Sequence, residues 1–270
     1  MPSGASMYLA SLGSGSRGNA TLIRSADTCI LIDCGFSLAD IQRRFWRLKL
    51  DPSDIDAIVV THEHRDHTSG VDGLAKALGV PVYMSFGTAR SDRLSCWHDS
   101  RLFNAGDEFT VGDIAVHSVP VPHDAREPVQ FRFDSAGARI GLLTDIGRIT
   151  PHVCRMFQEC RALILEFNHD EELLRQGPYP AALKRRIRSE FGHLSNREAV
   201  SFLSQMDLAR LSGLVIAHAS AENNSELHAR QALSDGLPDF FEGGKPTLGP
   251  EVRWASQLEG TDWIPVSLAD

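Results

Sequence analysis

One stretch constrains everything else in this sequence: Thr61-His62-Glu63-His64-Arg65-Asp66-His67, delivered by the apolar run Ala57-Ile58-Val59-Val60. Such a run before a polar loop reads as a buried strand. In an extended chain His62 and His64 point to the same side, and Asp66 and His67 follow as the chain turns toward a helix beginning near Val71. A lone pair of alternating histidines is more often a solvated loop. Three imidazoles and a carboxylate at the tip of a buried strand instead offer parts of two neighbouring metal sites. Nitrogen and carboxylate donors suit zinc, manganese or iron. A loop this short cannot enclose two cations, so the fold must bring further ligands from other strands.

Those ligands are expected just past the ends of apolar strands, where the backbone is rigid. Of the eleven histidines, His123 follows Val119 and Val121, and His218 follows Leu214-Val215-Ile216-Ala217. Asp145 ends Ile140-Gly141-Leu142-Leu143-Thr144. His117 falls mid-strand and reads as packed or exposed, while His98, His152 and His228 sit in loop or helix contexts. Asp33 ends the buried strand Cys29–Asp33. It is expected either to orient the histidine loop from behind or to start the turn at Gly35.

The remaining pattern alternates strands and helices. Strands are expected at Met7–Leu12, Thr21–Ile23, Val82–Ser85, Glu108–Val111, Ile114–Val121, Val129–Phe133, Arg139–Leu143, Ala162–Glu166 and Gly213–Ala217. Helices are expected at Leu38–Leu48, Val71–Leu78, Pro180–Phe191, Asn196–Met206 and Glu222–Leu233, with Ser195 and Glu198 forming a capping box. Short strand-like pieces recur at Asp239–Glu242, Val252–Ala255 and Trp263–Val266. Both halves mix the two element types, which predicts an α/β sandwich of two sheets between helical layers rather than one parallel sheet. No break in composition marks a boundary, so residues 1–270 read as one domain.

Gly13-Ser14-Gly15-Ser16-Arg17-Gly18 matches a dinucleotide-binding fingerprint, with Asp33 at the distance of a ribose-binding acid. Beyond Gly18 the chain has a hairpin pattern with no room for a crossover helix, which argues against nicotinamide. The loop reads either as a tight turn or as backbone amides approaching a phosphate.

The ordered set His-x-His-x-Asp-His, His123, Asp145 and His218 resembles the metallo-β-lactamase superfamily, and more closely its WalJ/YycJ-like branch. The likeness extends to Ser14–Asn19, Leu31–Gly35, Pro122–Ala125, Leu165–Asp170, Gly192–Asn196 and Ala217-His218 with Glu222–Asn224. It implies that superfamily's αββα four-layer sandwich with two mixed sheets. It also implies two divalent cations, one on His62, His64, His123 and Asp145 and the other on Asp66, His67, Asp145 and His218. Asp145 would bridge, and a hydroxide shared by the cations would attack. Asp66 would also orient that hydroxide, and His193 would be the general acid. The alternative makes His193 a ligand and His218 its support. Ser14, Asn19 and Asp33 would back or border the site, and His169 would reach phosphate or the substrate rim. Phe167 departs from the small polar residue the resemblance implies beside Glu166.

The branch is associated with 5′-to-3′ exonuclease activity on DNA, which makes nucleic acid the expected substrate. The basic run Lys184-Arg185-Arg186 with Arg188 could neutralise its backbone. A net charge of −8, 7 % aromatic residues and no basic stripe weigh against an extensive nucleic-acid surface. The stretch between Asp145 and His218 is too short for the domain inserted in larger nucleases of the superfamily. A small phosphodiester, lactone or thioester is therefore the rival substrate, and a non-catalytic metal-binding module the rival class. Five cysteines without a Cys-x-x-Cys pair fit a reducing, cytoplasmic compartment. Neither a signal peptide nor a membrane-spanning segment is expected.

Overall fold

The computed structural model describes residues 6–92, 94 and 99–267. Strands β1 (Met7–Gly13), β2 (Ala20–Arg24), β3 (Cys29–Ile32), β4 (Ala57–Val59), β5 (Val82–Ser85) and β6 (Ser100–Phe103) lie in that order in a first sheet. Strands β7 (Glu108–Val111), β8 (Ile114–Pro120), β9 (Val129–Ser135), β10 (Ala138–Leu143), β11 (Ala162–Glu166) and β12 (Gly213–Ala217) lie in order in a second. A small ribbon of β13 (Phe241–Glu242) and β14 (Lys245–Pro246) precedes β15 (Glu251–Trp254), which extends the second sheet beside β12. The last strand, β16 (Ile264–Val266), returns to the first sheet and pairs antiparallel with β1.

Each sheet is antiparallel at one end and parallel at the other. β3, β4, β5 and β6 run parallel, as do β10, β11, β12 and β15. Parallel neighbours need crossovers, and helices supply most of them. In the first half these are α1 (Leu38–Arg47), α2 (Arg65–Thr68), α3 (Val71–Leu78) and α4 (Phe86–Ala89). In the second they are α5 (Pro151–Phe157), α6 (Glu171–Gln176), α7 (Ala181–Ile187), α8 (Asn196–Leu203) and α9 (Glu226–Gly236).

Side-chain alternation along the strands assigns the layers. Ile30, Ile32 and Val59 face Phe131, Phe133, Ile140 and Ile164 between the sheets. Their neighbours Leu31 and Ile58 face outward, against Ile41 and Phe45 of α1 and Leu74 of α3. Leu163, Leu165, Leu214 and Ile216 pack outward on Phe157, Phe202 and Leu233 of α5, α8 and α9. The result is the expected αββα sandwich with two mixed sheets.

Four details differ from the sequence expectations. The helix expected over Pro180–Phe191 stops at Ile187, because Gly192 N–H bonds to Ser189 O and His193 N–H to Ile187 O, folding the segment back. The helix expected from Glu222 starts after Ser225, whose hydroxyl accepts from His228 N–H. Helices α2, α4, α5 and α6 and the short strands β6 and β14 have no counterpart in the expected pattern. Phe167 turns into the outer core of the second sheet, so the pocket wall beyond Glu166 is made by Asn168 instead.

Candidate metal centre

Past the C-terminal end of β4, the backbone and hydroxyl of Thr61 both donate to the carboxylate of Asp33 at 2.8 Å. The same carboxylate lies 2.8 Å from Nδ1 of His67. Asp33 therefore ties the strand tip to the histidine loop. His64 occupies the N-cap position of α2, which carries Asp66 and His67. Backbone bonds from Asn19 N–H to Asp66 O and from Cys34 N–H to His67 O clamp that turn from below, at 2.8 and 2.7 Å. Gly35 is needed there: a Cβ would overlap the backbone of Asp66.

The opposite wall comes from the second sheet. His123 follows β8, Asp145 follows β10, Glu166 ends β11 and His218 follows β12. Asp33, Asp145 and His218 have φ of 59°, 48° and 51°. Left-handed backbone at a non-glycine residue costs on the order of 1–3 kcal/mol and persists only where the surroundings enforce it.

Four of the imidazoles are held from behind. His62 Nδ1 is 3.0 Å from Thr61 Oγ1, His67 Nδ1 bonds Asp33, His123 Nδ1 is 3.2 Å from Gly192 O, and His218 Nδ1 is 2.9 Å from Glu166 Oε1. Such outer contacts fix the ring and leave Nε2 for the centre. The Nε2 atoms of His62, His123 and His218 are buried with no hydrogen-bond partner, and so is Asp145 Oδ2. His67 Nε2 approaches that oxygen at 3.1 Å without hydrogen-bond alignment. His218 Nε2 lies 3.5 Å from Asp145 Oδ1 and 3.8 Å from Asp66 Oδ2. Ligand atoms of His62, His64 and His123 fall within 4.8 Å of one another, and so do those of Asp66, His67 and His218. Desolvated donors that converge and lack partners fit divalent cations, with nitrogen and carboxylate ligands in suitable number.

The electrostatics agree. Burial raises the carboxyl of Asp145, yet His218 and His67 outweigh it and hold Asp145 well below the usual range. Burial lowers His67 and His218, yet Asp145 overcomes it and holds both above the ordinary imidazole value. Positive charge is favoured around Asp145, His67 and His218, whereas burial holds His62 and His123 below the ordinary imidazole value.

His193 lies between α7 and α8. Its Nδ1 is 2.8 Å from the same Glu166 oxygen that holds His218, so its other nitrogen is the one available to the cavity. Glu166 is fully buried and has further bonds from Ile146 N–H and Leu194 N–H. Sequence reasoning assigns Glu166 no role, although it ends the apolar strand Ala162–Glu166 and so passes the test that selects Asp145.

Ser14 Oγ accepts from His218 N–H at 2.9 Å and donates to Asn19 Oδ1. The Asn19 amide lies 3.2 Å from His67 Nε2. The N–H groups of Ser14, Gly15, Arg17, Gly18 and Asn19 are all bonded within the protein. The glycine loop is thus a tight turn after β1, and only Ser16 lines the cavity. His169 is 2 % exposed and does not line it: a bridge to Ser195 draws it inward, and burial lowers it to about 4. His117 pairs with Glu108 and Asp134, His152 is exposed on α5, and His228 bonds Ser225. His98 lies outside the described residues.

The donors open into a cavity of about 260 Å³, whose far wall is Tyr179, Leu183, Arg186 and Ile187 on and before α7. Of the basic run, Arg186 reaches this cavity, held by Asp124 at 2.6 Å. Lys184 is spent on the carbonyls of Arg175 and Gly177, and Arg185 and Arg188 are exposed.

Two mixed sheets with a histidine–aspartate cluster across their strand tips define a metal-dependent hydrolase scaffold, and the chain belongs to the beta-lactamase superfamily: the model of the beta-lactamase superfamily domain matches residues 28–215. More particularly, it is 33 % identical over 237 residues to the exodeoxyribonuclease YycJ of Bacillus anthracis, covering 86 % of this chain and 90 % of the relative. It is 34 % identical over 232 residues to the exodeoxyribonuclease WalJ of Streptococcus pneumoniae strain D39, covering 84 % and 86 %. Among solved structures, the metallo-beta-lactamase fold protein YhfI from Bacillus subtilis superposes with a TM-score of 0.69 at 16 % identity, over 96 % of this chain and 98 % of that one. That likeness concerns the fold.

Proposed function

We propose that the chain is a two-cation phosphodiesterase that degrades DNA as a 5′-to-3′ exonuclease. The observation that carries this reading is the placing of His193 beside the partnerless donors, its Nδ1 taken by Glu166 and its other nitrogen left for the cavity. His62, His64, His123 and Asp145 would hold one cation, and Asp66, His67, Asp145 and His218 the other, zinc or manganese first and iron third. The buried, partnerless Nε2 of His218 favours it as the ligand and leaves His193 free for proton transfer. Bound there, two divalent cations would neutralise phosphodiester charge and acidify the attacking water.

The chain's own residues do the rest. Asp33, Thr61, Glu166 and the Gly192 carbonyl hold five rings in register. Asp66, partly exposed at the cavity, orients the attacking water and takes its proton. As the water oxygen bonds to phosphorus and the leaving P–O bond breaks, His193 gives a proton to the departing oxygen. Arg186 faces an adjoining phosphate. The names of the two bacterial relatives support DNA as the substrate.

The test sets 5′-labelled and 3′-labelled DNA beside bis-p-nitrophenyl phosphate and a thioester, with and without chelator. Release of labelled mononucleotide from the 5′-labelled strand first, abolished by chelation, is expected. Turnover of the thioester alone would overturn the reading. Free thiols at Cys29, Cys34, Cys154 and Cys160 support a reducing, cytoplasmic setting, and no helix of the described residues is long and apolar enough to cross a membrane. Cys96 lies outside the described residues.

A further inference from the structure

A second concavity of about 530 Å³, roughly twice the catalytic one, runs between α5 and α8 on the outer face of the second sheet. Ile149, Leu194 and Phe202 give it an apolar floor, and Arg148 and Arg155 stand at its rim. Its one acid, Glu198, is engaged by the backbone and hydroxyl of Ser195 at 2.8 Å. Arg148 is 3.6 Å from Glu190, with both side chains more than half exposed. Arg155 is exposed and has no ion-pair partner among the described residues.

Two chain segments lead from the catalytic cavity into this groove. Asp145 lines the cavity and Arg148 the groove; His193 lines the cavity and Leu194 the groove. The ridge between them is where Gly147 meets the backbone of Glu190 and Phe191 so closely that a Cβ would overlap both. Phe191 belongs to this ridge and is 56 % exposed, so an aromatic face is open to solvent beside the groove. In a chain of net charge −8, an aromatic ring followed by two arginines on an apolar groove is a local exception to the composition.

We propose that this groove is the track for single-stranded nucleic acid extending from the catalytic cavity, with a base stacked on Phe191 and phosphates against Arg148 and Arg155. Stacking needs an unpaired base, so the ligand is a single strand rather than a duplex. The inference rests on the phosphodiesterase reading for what lies in the cavity, but its test does not depend on turnover.

Binding is measured by fluorescence anisotropy on the whole protein, using a hydrolysis-resistant phosphorothioate oligothymidylate of roughly 15 nucleotides and a phosphorothioate dinucleotide. Removing both arginines (Arg148→Ala with Arg155→Ala) should raise the Kd for the longer strand about tenfold and flatten its salt dependence by about 1.4 in log–log slope, 0.7 per lost phosphate contact. Phe191→Ala should weaken it about tenfold, and Phe191→Trp should restore it. The dinucleotide, too short to cross the ridge, should change by less than about twofold in all of them. Arg43→Glu on α1 removes the same two units of charge and should also change by less than about twofold. The proposal is overturned if the wild-type protein does not bind the longer strand, if the groove variants bind it as before, or if Arg43→Glu weakens it equally. Absence of all phosphodiester hydrolysis by a protein whose groove variants still lose binding would sink the catalytic reading and keep the groove.

Discussion

At the scale of single residues, chemistry divides between groups that would hold the cations and groups that position or transfer protons. Asp145 touches both clusters, so Asp145→Ala should abolish turnover and strip bound metal, whereas His193→Ala should keep the metal and slow turnover by roughly 10²–10⁴, as loss of a general acid does. Elemental analysis beside steady-state kinetics checks this, and equal metal loss in both variants would overturn the division of roles. Glu166 acts through two other rings, since His193 and His218 share one of its oxygens. Glu166→Gln should cost roughly 10–100-fold in kcat or in metal affinity, the usual range for a residue supporting a ligand. An unchanged pH profile and unchanged metal content would mean the carboxylate is only packing. His123, Asp145 and His218 were legible because each follows an apolar run whose end fixes its position. Glu166 ends such a run too, but its importance lies in a meeting of two imidazoles separated by 25 residues in sequence (from His193 to His218), which no local pattern records.

At the scale of elements, most strands and the longer helices were legible, whereas β6, β14 and the short helices were not. Ser195 at the N-cap of α8 was readable because its box with Glu198 is local, and both halves of that box are formed. Ser195→Ala should cost about 1 kcal/mol in urea denaturation, within the range for lost N-caps. A change within error would mean that packing of Phe202 and Leu203 alone fixes the helix. Helix α7 shows the opposite case. Its sequence favours continuing to Phe191, but the turn back at Gly192 delivers His193 to Glu166 and a carbonyl to His123. Tertiary contacts outrank propensity there, and local sequence does not report them. The resemblance implies His169 at phosphate or the substrate rim. Its pairing with Ser195, made across the fold, instead buries it.

For the whole molecule, the inner faces of both sheets share one apolar layer, so we propose that residues 1–270 fold as a single unit. Far-ultraviolet circular dichroism and tryptophan fluorescence should then report one coincident unfolding transition, and two separated midpoints would contradict this. Chelation should lower that midpoint, because any ligand bound only by the folded state stabilises it by mass action. The thiols offer a second readout. Burial pushes Cys29, Cys34 and Cys160 up to about 12. A thiol whose pKa is raised stays protonated as pH rises until that value is approached, so near pH 8 these three should resist iodoacetamide in the native protein and react only on unfolding. Mass spectrometry of the alkylated native protein checks this, and rapid labelling of any of the three at pH 8 would contradict the packing described.

Of the donors of the proposed cation pair, four hang from the first sheet and three from the second. Neither layer alone carries the donors proposed for both cations. Capture of the full pair would thus mark the moment the halves dock, and a nascent chain would complete it only after β12 and His218 have been synthesised and seated.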